Sequence, residues 1–479
     1  MFRRKWTGLP ADPDFPADLE ALGYFVNPDD EIRSIANNDN YFKFFISRNP
    51  RWNDRQRYAM NEACGKIIQS RLQDLGLEKH MLPLGAESSK NKPRLPIFAS
   101  KSIAGASRVV LIFGESTQDL GVLAHRVIGG PGGINKGSMV SIVQSILSQR
   151  ASPGDDRPPA VLLANCGQLM WLPSLLKTLS PSAWDATRMK SAVHLGNLYT
   201  REVNSVPGNR TVAEHVKYIF EDVLPALLGP DSTARLDVIG VGDGADAVER
   251  YLDDDQVWSR LDGRLNCMAL VGGLFAIWEV KTAGLKAFLR DRARNYALSM
   301  EPLNTPISGP DGNTKTTAFT GLGCPVLSSG EPNYTECTLI RAAGAVLDWI
   351  QEVSLCTIVA DTATTVPNTS SERGSRAHEE EEDEEVSSNV SNTSMAGSFY
   401  ESSIDGNSNG GPRGDRDREH LINTYKNPVF DVTYADPDYE LRGSDEVETW
   451  NGWEGPGDVL VSSLAGLDVA DDHDKHASQ

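Results

Sequence analysis

Residues 236–248 read LDVIGVGDGADAV: an apolar run, then glycines at 240, 242 and 244, then small residues fit to open a helix. A strand, a glycine turn and a helix in that order serve several purposes. As a dinucleotide fingerprint, Gly240, Gly242 and Ala245 fit G-x-G-x-x-[GA], but that site also wants an acid at the end of the following strand, where this chain has Val271, Gly272 and Gly273. As a nucleophile elbow, Gly240-Val241-Gly242-Asp243-Gly244 fits the G-x-Nu-x-G frame, with Gly242 at the nucleophile position. Glycine has no side chain to attack with. Moving the frame by one brings Asp243 into place but puts Val241 and Ala245 where the turn needs the smallest neighbours. An elbow nucleophile also needs a histidine later in the chain, and none occurs between His215 and His378. The remaining reading is a structural turn that keeps the elbow's shape without its chemistry.

Working outward, short apolar segments at 95–100, 108–114, 160–166, 235–242, 265–273 and 324–330 alternate with helical periodicities at 121–127, 138–149, 212–228, 245–251, 282–289 and 339–353. Buried strands alternating with helices imply an α/β fold with a mostly parallel sheet covered on both faces. A long helix up to about Leu77 is expected to be capped by Asn53, and the aromatic run Tyr41–Ser47 is expected to be a strand. The α/β domain is placed at 15–357. Residues 358–479 form an acidic tail expected to be disordered, with seven consecutive acids at 379–385 and aromatic islands near its end.

Charge divides the same way. The chain's formal net charge is −20, and from Asp361 onward it carries 27 of its 66 acidic residues but only 8 of its 46 basic ones, so the body is almost neutral. Neither part offers the clustered Lys and Arg of a nucleic-acid surface. The six cysteines are scattered without a CxxC pair, which fits reduced thiols rather than zinc or a disulfide framework. The start lacks the apolar core of a secretion signal, and the longest apolar run, 268–278, is too short to cross a bilayer, so a soluble intracellular protein without membrane contact is expected. No cofactor or metal is expected. The glycine loop GGPGGINKGS (129–138) has Lys-Gly-Ser instead of Gly-Lys-Ser and reads as the capped start of a helix at Ser138, and DDHDKHA (471–477) reads as a solvated charge run.

Several collinear pieces resemble the argonaute-binding (Arb-two) domain of fungi and its animal relatives: LGYFVNPDDEIRSI (22–35) with FKFF (42–45), PIFASKS (96–102), VVLIFGESTQDLGVLAHRVIGGPGGINKGSMVSIV (109–143), AVLLANCG (160–167), the elbow strand, CPVLSSGEPNYTE (324–336) and DWIQEV (348–353). The resemblance implies a three-layer α/β-hydrolase-like fold used for interaction, in argonaute small-RNA silencing, heterochromatin or histone deacetylase-linked regulation, and a location in the nucleus or cytoplasm. The chain departs from the family where many relatives have His-Gly and it has Phe113-Gly114, and where some keep Ser in the elbow and it has Gly242. The expected function is therefore a non-catalytic scaffold with a degenerate elbow at Gly240, Gly242, Asp243 and Gly244. The alternative is an esterase with an unconventional site. Because argonaute proteins take up tryptophans displayed next to glycine, Trp450 and Trp453 in TWNGWEGPG are candidate partner-binding residues.

Overall fold

Successive residues of Arg108–Phe113 send their side chains to opposite faces of a sheet: Val109, Leu111 and Phe113 join one apolar core, Val110 and Ile112 the other. Leu236 and Val238 against Ile239 and Val241 repeat the alternation one strand away. A strand with apolar residues on both faces must be covered on both faces. That is what the computed structural model contains over its described residues, 8–86, 91–193, 196–229, 231–313 and 321–356.

Nine strands form the central sheet: β1 (Leu77–Leu82), β2 (Leu95–Ser100), β3 (Arg108–Phe113), β4 (Ala160–Leu163), β5 (Arg235–Val241), β6 (Leu265–Val271), β7 (Ala293–Ala297), β8 (Pro306–Ser308) and β9 (Val326–Ser328). Their spatial order is β1-β2-β4-β3-β5-β6-β7-β9-β8. From β4 through β9 every pairing is parallel, whereas β1–β2, β2–β4 and β8–β9 are antiparallel. One face is covered by α1 (Pro50–Asp74), α2 (Met139–Leu147) and the helix Thr338–Leu355 that closes the body. The other is covered by the helical run from Val212 to Leu228, which contains a π turn at Ile219–Val223, by the helix Asp243–Leu252 that follows β5, and by Asp255–Leu261 and Ala283–Arg292. The architecture is a three-layer sandwich with the strand order and the strand–turn–helix elbow of the α/β-hydrolase fold, as the resemblance implied.

Two local expectations are corrected. The cap of α1 is Asn49, whose side chain accepts from the Arg51 N–H with Pro50 in the first turn; Asn53 is buried inside the helix, and its Oδ1 takes the N–H groups of Ile46 and Ser47 at 3.0 Å. Tyr41–Ser47 is not a strand. Its rings lie on side chains instead, Phe42 on Tyr24 at 5.4 Å and Phe44 beneath the Arg57 guanidinium at 5.3 Å.

The expected helix start at Ser138 is present: its side chain accepts from the Val140 N–H. The glycine loop before it is filled from within. Asp30 accepts from the Asn135 N–H at 2.7 Å and pairs with Arg71, while Glu31 faces the Gly132 N–H at 3.4 Å. The backbone donors that a phosphate would need are turned to the chain's own carboxylates.

Candidate functional site

Ligands of open parallel sheets bind beyond the carboxyl ends of the strands. Here that edge gathers the loops after β3 (Gly114–Gln118), β4 (Asn165–Gln168), β5 (Gly242, Asp243) and β9 (Ser329–Glu336).

The elbow is built as the sequence pattern requires. Gly242 sits at φ 55° and ψ −129°, a conformation that side chains rarely adopt. Gly240 is needed because a Cβ there would lie 2.6 Å from the Ala245 Cα, and Gly244 because one would lie 2.4 Å from the Gly114 carbonyl oxygen. These contacts let the helix Asp243–Leu252 start directly above the sheet. The strained turn thus survives with Gly242 at its apex.

What occupies the space over the apex was not legible in the sequence. A Cβ on Gly242 would meet Glu115 Cγ at 3.0 Å and Oε1 at 3.1 Å. Glu115 is half-buried, and its carboxyl is pushed up to about 7, first by burial and then by the charges of Asp243 and Glu336, against a hydrogen bond from Gln118. Asp243 is engaged too: its Oδ1 accepts the Ser116 N–H at 2.9 Å, closing the loop after β3 onto the first turn of the helix. In elbow enzymes the backbone N–H after the nucleophile and one from this loop receive the substrate oxyanion. Here the loop N–H of Ser116 is spent on Asp243, and the Glu115 carboxyl overhangs the cradle, which when ionised disfavours an anion. Below it, burial pushes the Cys166 thiol well above its ordinary value, with the Asp243 charge adding to the effect, so it is no nucleophile.

Among the described residues, the loop after β9, where an elbow enzyme's base would stand, holds no histidine. The loop after β9 presents Glu331, Tyr334 and Glu336. Glu331 accepts the N–H groups of Asn333 and Tyr334, both at 3.1 Å; Glu336 pairs with Arg126 at 2.8 Å, and the Arg126 guanidinium lies 3.5 Å from the Tyr334 ring centroid. His215 lies elsewhere, fully buried behind β4, where Nε2 accepts the Asn165 N–H at 3.0 Å and Nδ1 meets Asn209 Oδ1 at 2.7 Å. The charged neighbours of His125 are Asp119 and Arg57, and burial holds its pKa down. Phe113, where the resemblance leads one to look for a histidine, stacks on Phe220 in the core at 5.7 Å.

Of the residues singled out from sequence, Gly240, Gly242, Asp243 and Gly244 come together in one turn. Trp450 and Trp453 lie outside the described residues, as do 471–477. The adjacent acids Asp253 and Asp254 each hold backbone: Asp254 caps the helix Asp255–Leu261, and Asp253 takes the N–H groups of Lys281 and Thr282. Among the described residues no helix is long and apolar enough to cross a membrane.

Substituting serine at Gly242 tests the elbow directly. Gly242→Ser is expected to lower stability by about 1–3 kcal/mol in urea melts, from backbone strain and the crowding by Glu115. The companion change Glu115→Ala is expected to recover part of that loss. Neither variant should turn over p-nitrophenyl acetate above the wild type; turnover by Gly242→Ser alone would show the rest of an active site to be in place.

The chain is 30% identical over 139 residues to the cotranscriptional regulator ARB2A homolog of Xenopus tropicalis, an alignment that covers 28% of this chain and 32% of that relative, so the chain spans about a third of its length. Similar solved structures include a histone deacetylase from Saccharomyces cerevisiae (TM-score 0.35, 10% identity, 61% of this chain and 98% of that one) and a ferulic acid esterase (TM-score 0.29, 10% identity, 58% and 99%). The Arb2 domain model matches residues 15–303, more than half of the sequence, and the chain belongs to the Arb2 domain family.

Proposed function

We propose that this protein works without catalysis, as a protein-binding regulator in chromatin or transcription-coupled silencing. One observation carries the reading: the apex of the elbow is Gly242, and the space a nucleophile's side chain would need holds Glu115, with no imidazole in the loop after β9. A scaffold that keeps the hydrolase frame while filling its reaction space is suited to displaying surface loops. The cotranscriptional regulator of Xenopus tropicalis supports the same setting, as does membership of the Arb2 family. In this reading the protein acts in the nucleus, the cytoplasm or both, and meets RNA or chromatin through protein partners. The body's almost neutral charge and the tail's acidity favour neither nucleic acid nor an anionic membrane as a direct ligand.

Within that reading, Trp450 and Trp453 form an argonaute hook. Tandem exposed aromatics next to glycine are efficient anchors for shallow pockets. Affinity purification of the tagged full chain should recover argonaute or chromatin-silencing proteins, and the double change Trp450→Ala and Trp453→Ala should remove most of the argonaute. Undiminished argonaute recovery would discard the hook while leaving the regulator role; acyl-ester turnover by the purified wild-type chain would overturn the non-catalytic role itself.

A further inference from the structure

The sheet ends at β1, and the hydrogen-bond parity shows which of its backbone groups are free. The Lys101 N–H bonds the Gly76 carbonyl at 3.1 Å, and the register pairs Glu78 with Ala99, Lys79 with Phe98 and Met81 with Pro96. In an antiparallel ladder hydrogen-bonded and non-bonded pairs alternate, so 76, 78 and 80 face β2 while 79 and 81 face away. Pro96 agrees from the other side: it has no N–H, and its carbonyl accepts from Asn165 Nδ2, beyond β2. The N–H and C=O groups of Lys79 and Met81 therefore point to the open edge, and among the described residues no hydrogen bond is made to them. Beside them runs a groove of about 510 Å³ lined by Gln73, Leu77, Glu78, Lys79, His80 and Lys101.

We propose that this edge is a docking site for an extended peptide of a partner protein bearing alternate carboxylates, which adds to the sheet as a further strand beside β1. The backbone groups supply the ladder. The charge supplies the choice of strand. Lys79 and Lys101 line the groove and Arg94 stands beside Lys79, against Glu78. Among the described residues the buried Nε of Arg94 has no partner. Such a concentration of positive charge is relieved by carboxylates on the incoming strand. A second copy of β1 is disfavoured in the antiparallel register centred on Lys79, which sets Lys79 opposite Lys79, because like charges directly across a ladder repel. The lysine that guards the edge against self-pairing also selects an acidic strand.

The test uses the full chain and a fluorescein-labelled octapeptide of alternating glutamate and valine, followed by anisotropy. Binding is expected to be about ten-fold tighter than for the lysine–valine counterpart, and weakened about ten-fold by Lys79→Pro, which deletes one outward N–H and leaves the β1–β2 ladder intact. Lys79→Gln, which removes only the charge, should weaken binding less than Lys79→Pro. Should the proline variant melt early, N-methylation of alternate peptide amides gives the same reading on the wild type, by abolishing binding. No binding to the full chain, equal binding of both peptides, indifference to N-methylation, or self-association of the protein that the glutamate peptide cannot displace would each overturn the proposal.

Discussion

Asp237→Ala is expected to cost about 3–5 kcal/mol of unfolding free energy, because it strands a buried guanidinium. Arg108 and Asp237 sit on neighbouring strands with side chains 1% and 0% exposed, joined Nε to Oδ2. Asp237 Oδ1 also accepts from Asn266 Nδ2 at 2.7 Å, and Arg108 donates on to the Arg150 carbonyl at 3.0 Å and the Ile350 carbonyl at 3.2 Å. One carboxylate thereby ties β3, β5 and β6 to the helix that closes the body. Urea denaturation measures the loss. The sharper test is the double variant Arg108→Met and Asp237→Leu, which removes both charges and should recover most of the stability; a buried pair is costly to break and cheap to replace. A loss below about 1 kcal/mol in the single variant would mean that the guanidinium finds water or another acceptor. Since Asp237 lies on β5 ahead of Gly242, loosening it would also loosen the turn.

Acid should unfold the protein through His215. Burial holds its pKa at about 3, against an ordinary value of 6.5. Unfolded, the imidazole takes up a proton as pH falls below 6.5; folded, it stays neutral, so the unfolded state binds more protons between the two values. Its contribution is complete above pH 6.5 and drains away by about 1.4 kcal/mol per unit down to about pH 3, about 5 kcal/mol in all. Glu115 and Glu249, both raised to about 7, push oppositely, since protonation relieves their burial as pH falls. The measurement that isolates the histidine is the pH profile of urea midpoints for wild type against His215→Gln. Glutamine can accept the Asn165 N–H and donate to Asn209 without titrating, so the variant should be weaker at pH 7.5 and relatively stronger near pH 4. Parallel profiles would refute the assignment.

How much of this was legible depended on whether local residues carried the signal. The elbow was readable because its glycines answer to contacts within a few residues, Gly240 against Ala245 above all. The strands β3 and β5 were readable because both faces are apolar. By contrast β7 reads Ala-Arg-Asn-Tyr-Ala and hides its role, since Asn295 is buried to receive the Gly273 N–H and Arg294 lies over the Trp349 ring at 4.9 Å. β1 was missed for the opposite reason: an edge strand keeps Glu78 and Lys79 in solvent and loses the apolar pattern. Glu115 could not be found at all. Nothing near it in the chain marks it, and only the parallel pairing of β3 with β5 brings it over Gly242.

That placement bears on the protein's history. A glycine codon can become a serine codon by a single base change, so an elbow that has merely lost its nucleophile stands one mutation from regaining it. With Glu115 lying over the apex, the same mutation meets crowding there and no histidine in the loop after β9, and a working site of the elbow type would require several changes at once. Under the proposed non-catalytic role, such an arrangement acts as an evolutionary ratchet: each change that fits the turn around Gly242 closes the way to a nucleophile there, leaving the loops around it free to diverge toward new partners.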